Sequence, residues 1–116
     1  IDARVGDAAS LPFKDNEFDL LVSTRFLRDI VVFSVAKEIL REFARVTKKY
    51  AIIQLGHNRK TGFTPHENSP MGGWLSENEL TKLLNSYGFE VVEKRLVLEH
   101  NNEGTDIYHI LCKMAP

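Results

Sequence analysis

The sequence predicts an α/β domain on a mixed, mostly parallel sheet with flanking helices, and three observations carry that prediction. Two short apolar runs, Phe18-Asp19-Leu20-Leu21-Val22-Ser23 and Tyr50-Ala51-Ile52-Ile53-Gln54-Leu55, bracket a stretch of helical periodicity. That is the strand, helix, strand order of a parallel βαβ unit. A second helical stretch opens at Ser76 with its own start and stop signals. The chain then closes with two β-rich runs separated by His100-Asn101-Asn102-Glu103-Gly104, whose Asn and Gly content suits an antiparallel hairpin.

Each element has a local reason. The first strand follows the turn-like Lys14-Asp15-Asn16-Glu17, and its unbroken apolar run reads as a largely buried strand of a parallel sheet. Between Ile30 and Lys49, Val35, Ile39, Phe43 and Val46, flanked by Ala36 and Leu40, recur at helical spacing. Lys37, Glu38, Arg41, Glu42 and Arg45 then fall on the opposite, solvated face. Lys48 and Lys49 suit the negative end of the helix macrodipole. The stretch from Gly56 to Leu75, punctuated by Gly62, Pro65, Pro70, Gly72 and Gly73, is too long for an ordinary connection and reads as a functional or a mobile loop. At Ser76, Glu79 completes a capping box, Leu75 and Leu80 stand as a hydrophobic staple, and Gly88 takes the position after the C-cap. Leu80, Leu83, Leu84 and Tyr87 form the buried stripe of this helix, and Val91–Glu99 and Asp106–Met114 are the final strands.

A length of 116 residues fits one domain with one core. With 43% hydrophobic and 27% charged residues, disordered and fibrous classes drop out. A formal charge of −1 removes any whole-molecule attraction to nucleic acid or acidic membranes. Residues 25–60 are net basic between acidic flanks, a bias that a solvated helix face explains more simply than an anionic ligand. No apolar run reaches 18 residues and the start lacks signal-peptide layout, so the expected setting is cytoplasmic, without a membrane. Cys112, in an apolar run, reads as a buried thiol. His57, His66, His100 and His109 lack the spacing of a metal site, and no metal is expected. His57 and His66 could contact a substrate, although a solvated loop position is the simpler reading of both; Trp74 reads as a loop anchor. No serine stands in a Gly-x-Ser-x-Gly setting, which leaves nucleophilic hydrolysis unsupported.

One segment carries sharper chemistry. Gly6-Asp7-Ala8-Ala9-Ser10-Leu11-Pro12-Phe13, followed by Phe18-Asp19-Leu20-Leu21-Val22-Ser23, resembles the class I S-adenosylmethionine-dependent methyltransferases. Leu40-Arg41-Glu42-Phe43-Ala44-Arg45-Val46 is similar to the family's helix before its fifth strand, and Ser76 to Phe89 resembles its Leu-rich helix closing on Gly-Phe. Phe26-Leu27-Arg28-Asp29 comes nearest to the quinone-biosynthesis type. The resemblance implies S-adenosyl-L-methionine as cofactor, with Asp7 meeting the adenine amine, the backbone of Ala8 meeting the ring, and Ser23, Thr24 and Arg25 at a strand end that opens onto the crevice. The physical chemistry agrees: a carboxylate accepts from an exocyclic amine while Leu11 or Phe13 covers the ring. The competing reading of Asp7 is a turn cap, and that of Arg25 a surface charge.

The same resemblance implies a Rossmann-like methyltransferase half-domain with strands equivalent to the family's four, five, seven and six, adjacent in that order. Two departures stand out. No Gly-x-Gly loop and no acidic residue ending a second strand are present to hold the methionine part and the ribose, and Thr47-Lys48-Lys49-Tyr50 replaces the family's Lys-Pro-Gly-Gly turn. The expectation is therefore the C-terminal part of a methyltransferase acting on a small-molecule acceptor, inactive alone, with RNA a subordinate acceptor class. His57, His66 and Trp74 are the candidate acceptor contacts, and no catalytic base is assigned. The first strand would then present an open apolar edge to a missing N-terminal segment or to a second copy. The alternative is a non-catalytic interaction module that binds a partner chain through that edge.

Overall fold

The structure, a computed structural model, describes residues 3–27, 33–58, 75–100 and 105–116. Its elements are β1 (Phe18–Ser23), α1 (Phe33–Val46), β2 (Thr47–Asn58), α2 (Glu77–Ser86), β3 (Phe89–His100) and β4 (Thr105–Met114). They form a four-stranded sheet in the order β1-β2-β4-β3. β1 and β2 pair in parallel, whereas β4 runs antiparallel to both β2 and β3. Three strands thus share one direction and β4 opposes them, the mixed sheet and the strand order expected. The centre of the predicted hairpin turn and of the Gly56–Leu75 loop, with His66, Gly72, Gly73 and Trp74, lies outside the described residues.

Strand alternation sorts the sheet into two unequal faces. On one, Ala51, Ile53 and Leu55 of β2 meet Ile110 and Cys112 of β4, and Ala36, Ile39, Leu40 and Phe43 of α1 and Leu80 and Leu84 of α2 complete a single core with Phe89. Each fully buried Leu or Phe in it contributes about 1.5–3 kcal/mol. On the other face Leu20, Val22 and Tyr50 stand 53%, 59% and 46% exposed. β1 is therefore half-covered, which corrects its reading as a largely buried strand. An unbroken apolar run cannot reveal that, among the described residues, neither helix packs on its second face.

The predicted helix stripe is buried at Ile39, Phe43 and Val46 and is broader on one side than expected. Val35 is exposed, and Ala36 and Leu40, read as flanking, are fully buried. β2 runs three residues further at each end than its apolar run, because Phe18 of β1 pairs with Thr47 at its start and β4 pairs with it as far as Asn58 opposite Thr105 at its end. Gly56 is required within that ladder, since a Cβ there would lie 2.5 Å from the Asp106 carbonyl oxygen. α1 passes into β2 without a loop: the buried Thr47 hydroxyl donates to the Phe43 carbonyl at 2.6 Å and satisfies part of the helix end.

α2 follows its signals closely. The Ser76 backbone N–H donates to Glu79 Oε1 at 3.2 Å, and the Glu79 N–H donates to Ser76 Oγ at 3.3 Å, the reciprocal bonds of a capping box. Leu75 and Leu80 are both buried beside this start. Gly88 adopts φ +90 after the helix, a conformation that favours glycine.

Candidate functional site

Asp7 opens a tight turn. Its carbonyl accepts from the Ser10 N–H at 3.0 Å, and its Oδ1 accepts from the Ala9 N–H at 2.9 Å. The capping role weighed for Asp7 is thus present, and it uses only one carboxylate oxygen. The residue is exposed, and among the described residues Oδ2 accepts no hydrogen bond. Leu11 and Phe13 are half-buried just beyond it, with the Phe13 ring set edge-on to Phe18 at 4.9 Å and the Arg4 guanidinium 5.6 Å from its centroid.

What holds this segment is not legible in the sequence. Glu42 and Arg45, which helical spacing places on the solvated face of α1, reach across to it instead. Glu42 Oε1 accepts from the Leu11 N–H at 2.8 Å. Arg45 donates to the carbonyls of Leu11 at 3.0 Å and Phe13 at 2.7 Å, to Asp15 at 2.9 Å, and to Glu42 Oε2 at 2.6 Å. The Asn16 N–H donates to the Arg45 carbonyl at 2.8 Å, and Asn16 takes a left-handed φ of 56, which Asn tolerates. The guanidinium fork matches several acceptors at once because its donors are rigidly spread. Its hydrogen bond holds the Glu42 carboxyl below the usual carboxylate range, and Glu42 in turn raises Arg45 further above its ordinary value. The only sequence signal is the i, i+3 spacing of the two residues, which does not reveal what lies opposite them.

The second candidate turn follows β1. Ser23 is buried, Thr24 and Arg25 are exposed, and the chain returns to the core at the fully buried Leu27. Arg25 has φ 55, a left-handed conformation that costs a non-glycine residue roughly 1–2 kcal/mol. The buried Gln54 of β2 holds it: Gln54 Oε1 accepts from the Arg25 N–H at 2.7 Å, and Gln54 Nε2 lies 3.1 Å from His109 Nε2 on β4. Among the described residues no hydrogen bond or ion pair joins this turn to the Asp7 turn. The first is anchored on α1 and the second on β2.

His57 is not a solvated loop histidine. β2 extends through it, so it is a strand residue with 5% exposure. Its ring stacks on Tyr108 with centroids 4.8 Å apart, and Lys94 Nζ lies 3.2 Å from its Nε2. Lys94 also donates to Glu77 Oε1 at 2.5 Å and sits 4.7 Å from the Tyr108 centroid. Its ammonium holds the Glu77 carboxyl below the usual range. An ammonium can only donate, so His57 Nε2 is the accepting atom of this contact. Burial pushes the Cys112 thiol up to about 12, in keeping with an unreactive core residue. No group of three His, Cys, Asp or Glu side chains suited to a metal ion occurs among the described residues.

Residues 1–54 match the model of a family described as a methyltransferase domain, a span that includes both turns, α1 and most of β2. No curated protein matches the sequence. Among solved structures, an S-adenosylmethionine-dependent methyltransferase from Methanosarcina mazei aligns with a TM-score of 0.70 at 23% identity, over 97% of this chain and 66% of that one. The [4+2]-cyclase SpnF aligns at 0.67 and 15% identity, over 97% and 55%. A 1,6-didemethyltoxoflavin-N1-methyltransferase from Burkholderia thailandensis, solved with 1,6-didemethyltoxoflavin and S-adenosylhomocysteine, aligns at 0.65 and 14% identity, over 94% and 48%. The chain thus spans between about half and two thirds of these relatives, and it has the Rossmann-like fold that they share.

Proposed function

We propose that this chain is part of an S-adenosylmethionine-dependent methyltransferase and contributes the adenine side of its cofactor site. The observation that carries the reading is the methyltransferase-domain match over residues 1–54, which spans the exposed Asp7 turn. Adenine requires an acceptor for its exocyclic amine and an apolar cover for its ring. Asp7 Oδ2 and the neighbouring Leu11 are of that chemistry. Asp7 and the Ala8 backbone would hold the base, and Ser23, Thr24 and Arg25 would border the methionine end.

When bound, S-adenosylmethionine supplies an electrophilic methyl group on a sulfonium. The part left to the protein is positioning and exclusion of water, which in well-oriented systems contributes about 7–11 kcal/mol. The Glu42–Arg45 clamp and the Gln54 amide do this by fixing the backbone on which the contacts stand. A small molecule is the proposed acceptor, with His57, His66 and Trp74 as candidate contacts and RNA as the less supported class. The family's Gly-x-Gly loop and the acidic residue ending its second strand have no counterpart in this sequence, so the segment alone is proposed to be inactive. Calorimetry with S-adenosylhomocysteine tests the reading: the full-length gene product should bind and residues 1–116 alone should not. Absence of binding by the full-length product overturns it.

A second reading rests on the half-covered β1, where Leu20 and Val22 are exposed at a sheet edge. Such an edge pairs readily with another strand, and the same fold serves a cyclase as well as methyltransferases. A non-catalytic docking module would then form a complex through this edge while failing to bind S-adenosylhomocysteine in full-length form.

A further inference from the structure

We propose that Gln54 is a two-ended positioning residue that holds the Thr24–Arg25 turn in its left-handed conformation only while His109 Nε2 is unprotonated, which makes this turn responsive to pH. Its importance for ligand binding rests on the reading that the turn borders the cofactor site; the coupling itself does not.

The argument is one of donors and acceptors. A backbone N–H can only donate, so the Arg25 amide fixes which end of the Gln54 side chain faces it: Oε1, at 2.7 Å. The other end, Nε2, carries only donors and lies 3.1 Å from His109 Nε2. His109 must therefore accept there, which places the proton of its neutral ring on Nδ1. Protonation of His109 turns Nε2 into a donor, and two donors then face each other. Rotation of the amide satisfies His109 but sets the Gln54 NH2 group against the Arg25 N–H. Either way one of the two bonds is lost, and the bond to Arg25 is the one that opposes backbone strain at φ 55. Gln54 is buried, so water does not readily replace what is lost.

His109 is half-buried on the sheet face that no described helix covers, which leaves its ring within reach of solvent. Among the described residues, few charged groups face it. On β3, Arg95 opposes it in register and pairs with Glu93 at 3.2 Å; Lys113 lies farther along β4; Arg25 stands on the turn; β2 presents the uncharged Ile52, Gln54 and Gly56 there.

The test is nuclear magnetic resonance on the protein between pH 8 and 5, with Gln54→Met as the apolar variant of similar volume. Ring nitrogen shifts should show His109 in the Nδ1–H tautomer at high pH. The Arg25 amide should titrate with the same midpoint as His109 and exchange faster below it. In Gln54→Met the Arg25 amide should be fast-exchanging throughout and independent of His109. Adding Arg25→Gly to both proteins should remove the difference between the parent and the Gln54→Met variant by abolishing the strain. An Arg25 amide that ignores His109 in the parent protein, or that is unchanged by Gln54→Met, overturns the proposal; a thermal melt of each variant verifies folding. In the full-length product, S-adenosylhomocysteine affinity should weaken about three- to tenfold from pH 8 to 5, the contribution of one neutral hydrogen bond. Coupled titration with no binding at any pH supports the proposal and counts against the cofactor reading instead.

Discussion

The Asp7–Phe13 segment and the Ser23–Arg25 turn bear the candidate cofactor contacts, yet they are held to the domain by different physics. The first is clamped to α1 by a carboxylate and a guanidinium that together reach Leu11, Phe13 and Asp15. The second depends on one buried neutral amide opposing a left-handed backbone. A charged, many-point anchor tolerates the loss of a single bond and responds to the ionisation of its carboxylate. A single directional bond under strain has no such redundancy. The comparison teaches that two turns bearing candidate contacts can be tuned separately, because their anchors stand on different elements.

The largest expected effect is at the clamp. Glu42→Ala removes the acceptor of the Leu11 N–H and the principal partner of Arg45, and should destabilise by about 1.5–3 kcal/mol in urea unfolding at pH 7. The folded carboxyl of Glu42 is depressed below its ordinary value of 4.5. Its contribution is therefore present above that pH and is lost as pH falls through the depressed value. Parent and variant unfolding curves should converge in acid; curves that stay parallel would show that the charge of Glu42 does not matter to the clamp.

Arg25→Gly should act in the opposite direction and more weakly. Relief of the left-handed strain outweighs the greater entropy of an unfolded glycine by about 0.5–1 kcal/mol. A thermal melt should show a higher Tm, and a lower one would mean that the turn carries no strain. Smaller again is the response to salt. Raising ionic strength should slightly weaken the partly exposed Arg45–Asp15 contact while leaving the Gln54–Arg25 bond untouched, as judged by amide exchange at Phe13 and Arg25.

The same contrast explains what the sequence could reveal. Features set by neighbours along the chain were legible: the capping box at Ser76, the left-handed Gly88, the turn at Asn16, and the strand, helix, strand order that fixes the parallel pair. Features set by distant partners were not. Helical spacing places Glu42 and Arg45 away from the core, but the facing loop that satisfies them is some thirty residues away in sequence. Gly56, His57 and Asn58 have weak strand propensity and are recruited into β2 by pairing with β4. Gln54 lies within the run Ile53-Gln54-Leu55, where nothing local shows that its amide holds Arg25. Asp7 and Arg25 could be singled out by residue as candidates, whereas the groups that hold their turns could be found only in three dimensions.

The most direct test of the cofactor reading is the affinity of S-adenosylhomocysteine for the full-length gene product, measured by calorimetry for the parent, Asp7→Asn and Asp7→Ala alongside thermal melts. Asp7 caps its turn with Oδ1, and among the described residues its Oδ2 accepts no hydrogen bond. Asp7→Ala should weaken binding by about 10- to 150-fold, the equivalent of roughly 1.5–3 kcal/mol for a hydrogen bond to a charged acceptor, and Asp7→Asn should weaken it less. Stability should fall by no more than about 1 kcal/mol, as expected for loss of an exposed cap. Unchanged affinity in Asp7→Ala, accompanied by a large loss of stability, would contradict the account and leave Asp7 as a turn cap alone.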